Sequence, residues 1–141
     1  IVLEAVRHDY RALQWADDAC RGDPEIVFAA LEQSGLSLEW AADNLKSRHD
    51  IVLAAVKQHG HALRWAGGDC LSDQGIVLEA VQQDGFALQW AAESCKCDRA
   101  IVLAAVVKYW AALRWSSQAC RNDIEIVRAA VTQNHQALQW A

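Results

Sequence analysis

The sequence predicts an all-α protein: an α-solenoid of about six helix–turn–helix repeats, each 25 residues long. Three observations carry this. The block Ile-Val-Leu or Ile-Val-Phe opens at Ile1, Ile26, Ile51, Ile76 and Ile101, and Ile126 opens a shorter sixth copy as Ile-Val-Arg. A Leu-x-Trp follows at a fixed distance, at Leu13/Trp15, Leu38/Trp40, Leu63/Trp65, Leu88/Trp90, Leu113/Trp115 and Leu138/Trp140, with no insertion anywhere. After each opening block the apolar residues continue as Ala and Val four and five places on, which is helical spacing. A constant period of this length is the mark of stacked repeats.

Positions are numbered within a unit from its opening isoleucine. The first helix is set by Ile1, Val2, Leu3, Ala5 and Val6, which sweep an apolar arc of about 200° at 100° per residue, while Glu4, Arg7 and His8 fill the rest. So wide an arc suits a helix packed on two or three sides. Position 9 would fall inside that arc, yet it holds Asp9, Ser34, His59, Asp84, Tyr109 and Asn134. The first helix therefore ends before it, and Asp9, Ser34, Asp84 and Asn134 are suited to cap a second helix. Gly35, Gly60 and Gly85 come next and are expected to supply a positive φ for the turn.

The second helix is predicted over positions 11 to 20. Ala12, Leu13, Ala16 and Cys20 share one side, Trp15 sits at its edge, and Gln14, Asp17 and Arg21 face away. Arg21, Lys46, Lys96 and Arg121 suit the negative end of a helix dipole. Asp23-Pro24 then announces the next unit, as an N-cap with proline at the first helical position. Asp73, Asp98 and Asp123 repeat the cap; Arg48 departs from it, leaving Asp50 to cap later. Ile-Val-Leu is also β-prone, and leucine-rich repeats have similar periods, but they need alternating Leu and a placed Asn that are missing here. Two helices of this length are not stable alone; stacking makes them viable.

Both ends fall inside a unit, at Ile1 and at Trp140-Ala141, so the chain reads as a single array over residues 1–141 cropped at both ends from a longer protein. No signal or transit segment is visible, which says nothing of the compartment in a sequence that opens inside a repeat, and no apolar run approaches the ~18 residues of a membrane span. The net charge of −5 is graded along the chain, at −3, −2, 0, −2, +1 and +1 from the first unit to the sixth. No stripe of Lys and Arg of the kind a nucleic-acid groove needs is present.

The tandem Ile-Val-Leu-x-Ala-Val…Gly-x-Ala-Leu-x-Trp-Ala…Asp pattern resembles the repeats of the domain of unknown function 4116 family, over the whole chain and in all six copies. Members of that family often have Tyr where this chain has Trp. The resemblance implies an α-solenoid, with members mostly in protists, algae and some bacteria. It brings no established activity, no cofactor and no catalytic residue. The fifth unit departs from the pattern, with Tyr109-Trp110 in place of the polar-Gly turn.

Four of the five cysteines, Cys20, Cys70, Cys95 and Cys120, occupy position 20, where the second unit has Leu45. A place that accepts Leu wants a small hydrophobe, and free Cys behaves as one. Neighbours one repeat apart lie about 10 Å from each other by the stacking of packed helices, too far for a disulfide. Cys97 differs: it lies in a loop between units and is a candidate reactive thiol. The five histidines share no position, and His59-x-His61 has no nearby Cys or carboxylate pair, so no zinc site is indicated. No phosphate loop, nucleophile triad or paired buried carboxylates stand out. The expectation is a protein without catalytic activity, metal or cofactor.

Two features could carry binding. Trp15, Trp40, Trp65, Trp90, Trp115 and Trp140 form either inter-repeat plates or a partly exposed docking strip, and Arg11 is placed to lie on Trp15 as a cation–π contact. Phe86, Val107, Tyr109 and Trp110 gather at the turn edge of the fourth and fifth units, as a protein-docking patch or, for Tyr109 and Trp110, as cover for the missing glycine turn. The predicted role is an interaction scaffold that holds a protein partner. The alternatives are a permanent structural subunit of a large complex, or a regulatory array attached to a catalytic domain outside residues 1–141.

Overall fold

A computed structural model describes all 141 residues as helices joined by short links, with no strand. Each unit begins with a leading helix, at Val2–His8, Pro24–Gln33, His49–Gln58, Gln74–Gln83, Arg99–Lys108 and Ile124–Gln133. The units stack in chain order. Every substantial contact lies within a unit or between neighbours, and one continuous core runs from Val6 to Ala137. The caps fall as the sequence indicates. Asp23, Asp73, Asp98 and Asp123 accept backbone N–H groups at the start of leading helices, with Pro24 in the first turn. Arg48 leaves its helix without a side-chain cap; Asp50 does not replace it but pairs with the Arg48 guanidinium at 2.6 Å.

The second helix differs from the prediction. Positions 10 to 15 form a 3₁₀ turn, at Tyr10–Trp15, Gly35–Trp40, Gly60–Trp65, Gly85–Trp90, Trp110–Trp115 and His135–Trp140. The chain then straightens and closes with a separate single turn, at Asp18–Arg21, Asp43–Lys46, Gly68–Leu71, Glu93–Lys96 and Gln118–Arg121. The break serves the stacking of units. From the second to the fifth unit it frees the position-17 amide to donate to the position-21 carbonyl of the preceding unit: Ala42 to Arg21 at 2.9 Å, Gly67 to Lys46 at 2.8 Å, Ala92 to Leu71 at 2.8 Å and Ser117 to Lys96 at 3.0 Å; the first unit breaks at the same place without that bond. Three residues per turn also suits the apolar pattern. It places Gly35, Leu38 and Ala41 in one buried row with Ser37 beside them, and turns Glu39 to solvent.

The capping of this turn by position 9 is as predicted: Asp9, Ser34, Asp84 and Asn134 each accept the amide two residues on. The glycines serve another purpose than the one predicted. None has a positive φ; that conformation occurs only at Gly68, at 56°. A Cβ on Gly35, Gly60 or Gly85 would instead stand 2.2–2.3 Å from the carbonyl oxygen of Ala55, Ala80 or Ala105 in the next leading helix. Glycine is there so that two backbones can meet.

Side chains add two further ladders. Position 24 of one unit reaches the capping aspartate of the next: His49 Nε2 lies 3.2 Å from Asp73, Gln74 donates to Asp98 at 3.2 Å, and Arg99 to Asp123 at 2.9 Å. The position-20 thiols point at position-22 carbonyls of the preceding unit, Cys70 to Ser47, Cys95 to Ser72 and Cys120 to Cys97, at 3.5–3.6 Å. Cys70, Cys95 and Cys120 are buried and all five cysteines are free, which is the packing role the sequence assigns to that position. Burial pushes the Cys70 and Cys95 thiols up.

Candidate interaction surface

The tryptophans line the edge formed by the 3₁₀ turns. Trp40, Trp65, Trp90, Trp115 and Trp140 are half-buried, and Trp15, in the first unit, is 84% exposed. At four of the five junctions the indole is lapped by a ring from the preceding unit. Tyr10 stacks on Trp40 with centroids 6.0 Å apart, His61 meets Trp90 edge-on at 4.5 Å, Phe86 meets Trp115 at 4.9 Å, and Trp110 stacks on Trp140 at 5.3 Å. The lapping ring comes from position 11 where position 10 is glycine, and from position 10 where it is not. Tyr10-Arg11 and Trp110-Ala111 thus exchange roles with Gly60-His61 and Gly85-Phe86. Trp110 is therefore an inter-unit plate. The position-8 glutamine of the sixth unit closes the same junction, with Gln133 Nε2 donating to the Val106 and Val107 carbonyls at 2.8 and 2.9 Å.

The cation–π contact forms at a different arginine from the one predicted. Arg11 is drawn to Asp9, where its Nε and Nη2 donate at 3.0 Å, which holds the Asp9 carboxyl below the usual range. Arg64 and Arg114, at position 14, take that role: each lies over its own indole, at 5.2 and 5.3 Å, and reaches the next one, Trp90 or Trp140, at about 6 Å. Sequence reasoning passed over both, although an arginine directly before the Trp at two of six copies was the available signal.

Phe86 and Tyr109 come together, ring centroids 5.9 Å apart, each 36% exposed. Trp110 joins them through Tyr109 at 6.3 Å. Val107 is 60% exposed, as position 7 faces away from the core. Phe86 and Tyr109 line an open groove of about 480 Å³, with His61, Asp84 and Lys108 also in its walls. His61, to which the sequence gave no role, belongs to this surface, with Nδ1 3.8 Å from Asp84.

Other chemistry-bearing groups lie apart from this edge. Cys97 is exposed and unpaired with any thiol. Cys70, His49 and Asp73 fall in line, Sγ 4.0 Å from Nδ1 and Nε2 3.2 Å from the carboxylate, a grouping the sequence spacing conceals. Its thiol has no exposed surface and burial favours the protonated form, so the line is part of the inter-unit ladders. No three His, Cys, Asp or Glu side chains converge to hold a metal ion. No helix is long and apolar enough to cross a membrane.

A family model described as domain of unknown function (DUF4116) matches four overlapping stretches, residues 1–46, 23–71, 73–118 and 98–141. The chain belongs to the DUF4116 family. The overlaps follow from the tandem repeat, since a match that spans almost two units can be laid down at several registers of the array. No curated protein and no solved structure matches it. In this DUF4116 array the tryptophan edge and the glycine contacts are both products of the 25-residue period.

Proposed function

We propose that the array is a non-catalytic scaffold that holds another protein along the turn edge of its third to fifth units. One observation carries this: Phe86 and Tyr109, partly exposed and in ring contact, flank an open groove, with Val107 exposed two residues before Tyr109. Aromatic side chains at the rim of a concavity are the usual anchors of a protein interface, and clustered exposed apolar groups mark such sites. Lys108 and His61 supply donors beside them for orientation. Trp110 contributes from beneath, by fixing the fifth unit on the sixth.

Val107→Thr with Tyr109→Asn restores residues that ordinary units carry at positions 7 and 9 and leaves Phe86 and Trp110 in place. The doubly substituted chain keeps its melting transition and loses the partner that co-purifies with the unaltered chain from native extract. Unchanged recovery of that partner removes this edge as the dock.

A further inference from the structure

We infer that the partner of this edge is acidic: an extended segment of another protein that carries Asp or Glu residues around one apolar side chain. The inference rests on the docking role proposed above and adds what the edge selects. Over residues 51–141, positions 8 to 15 of the units hold three cations, Arg64, Lys108 and Arg114, against one carboxylate, Asp84. The rest of that stretch holds five cations against seven carboxylates. Charge is thus sorted, with the positive excess on the segments that carry the rings. Arg64, Lys108 and Arg114 are exposed. None of them makes an ion pair, whereas seven other Lys and Arg side chains pair with a carboxylate. Asp84 does not neutralise them, because it accepts the Phe86 amide at 3.0 Å and faces His61.

The rings gather these cations around one spot. Arg64 lies 6.0 Å from the Trp90 ring and Arg114 5.3 Å from the Trp115 ring, and Phe86 meets both indoles, at 5.7 and 4.9 Å. A guanidinium lying on an indole keeps its N–H edge free for a carboxylate. Lys108 stands at position 8, where Gln33, Gln58 and Gln133 reach back to carbonyls of the preceding unit. It makes no such bond and instead lines the groove with Phe86 and Tyr109. Packed helices stack at about 10 Å, so the two arginines, two units apart, stand about 20 Å from each other. An extended segment covers that distance in about six residues. An acid near each end of such a stretch meets both arginines while an apolar residue between them rests against Phe86 and Tyr109. Single-stranded RNA fits this edge less well. Its phosphate chain calls for cations in close succession, and Arg64 and Arg114 are separated and flanked at position 14 by Glu39, Gln89 and Gln139.

The test is selection of a random dodecapeptide library on the unaltered chain, followed by binding of the selected peptides to variants. The charge variant carries Arg64→Gln, Lys108→Gln and Arg114→Gln. Glutamine stands at the same positions in other units, as Gln89 and Gln83 do, so the fold is kept; should this variant melt lower, Lys108→Gln alone carries the comparison. Selected peptides should be enriched in Asp and Glu beside an apolar residue. They should bind the charge variant about tenfold more weakly, weaken as salt is raised, and lose binding when Val107→Thr and Tyr109→Asn are introduced. Neutral or basic peptides that need Val107 and Tyr109 but bind the charge variant equally well overturn the acidic partner and leave the dock in place. Peptides indifferent to both sets of substitutions, or a library that yields no binder, remove the dock and this inference with it. A labelled oligouridylate that binds more tightly than the selected peptides, and is lost in the charge variant, overturns the acidic segment in favour of RNA.

Discussion

Replacing Gly60 with alanine adds one methyl group, and helix propensity alone gives such a change a gain of about 0.5–1 kcal/mol. The structure reverses the sign. The new Cβ would stand 2.2 Å from the Ala80 carbonyl oxygen and 3.0 Å from the Asp84 amide, about 0.8 Å inside the 3.0 Å that real Cβ atoms keep. Both neighbours are backbone at the end of a leading helix and cannot swing aside, so the third and fourth units must separate along their shared edge. Overpacking a tight site costs about 1–3 kcal/mol, and this contact is placed at the upper end because the obstruction is main chain. Gly75→Ala is the control: it lies near the start of a leading helix, exposed, with only an Asp73 carboxylate oxygen near its added methyl at 3.2 Å. Urea unfolding followed by circular dichroism should show Gly60→Ala destabilised by about 2–3 kcal/mol and Gly75→Ala unchanged or slightly more stable. A neutral or stabilising Gly60→Ala would refute the claim that backbone contact at the glycine sets the distance between units.

Trp65→Ala removes a half-buried indole that touches His61 and Arg64, and is expected to cost about 2 kcal/mol, roughly half the loss for a fully buried ring; Trp15→Ala, at 84% exposure, changes stability by less than about 0.5 kcal/mol. Equal effects of the two in denaturant melts would show that the edge indoles do not hold units together. Alkaline pH should weaken the array. Cys70 and Cys95 keep their protons to higher pH folded than unfolded, mainly through burial. The stability they supply is therefore complete below the ordinary thiol value and is lost as pH rises through the raised folded value. Cys70→Leu with Cys95→Leu, following Leu45 at the same position, should flatten that decline in thermal melts from neutral to alkaline pH, and an unaltered slope would exclude the thiols as its source.

The period, the leading helices and the caps were legible because each depends on residues near in sequence, such as Asp98 before Ala100 or Asp84 before Phe86. The split of the second helix was not. It goes with a long-range bond, the position-17 amide reaching a carbonyl 21 residues back as Ala42 reaches Arg21, and a helical wheel has no place for that bond. Gly35, Gly60 and Gly85 signal a backbone demand in the sequence, but a positive φ and a close approach both select glycine, so only the structure shows that it is the close approach. The patch at Phe86 and Tyr109 was legible from the irregular fifth unit. Trp110 borders the patch through Tyr109, and its stacking on Trp140 was hidden because it follows from an exchange of positions 10 and 11 between units. Arg64 and Arg114 were hidden because their partners are indoles on two successive units.

The central claim is that each unit is tied to the one before it by a position-17 amide, and native-state hydrogen exchange reads that bond residue by residue. At low concentration the amides of Ala42, Gly67, Ala92 and Ser117 should be protected to about the level of the leading helices, because they open only when neighbouring units separate. The Asp17 amide, which makes no such bond in the structure, should exchange at the rate of an open loop. Fast exchange at all five positions would contradict the account.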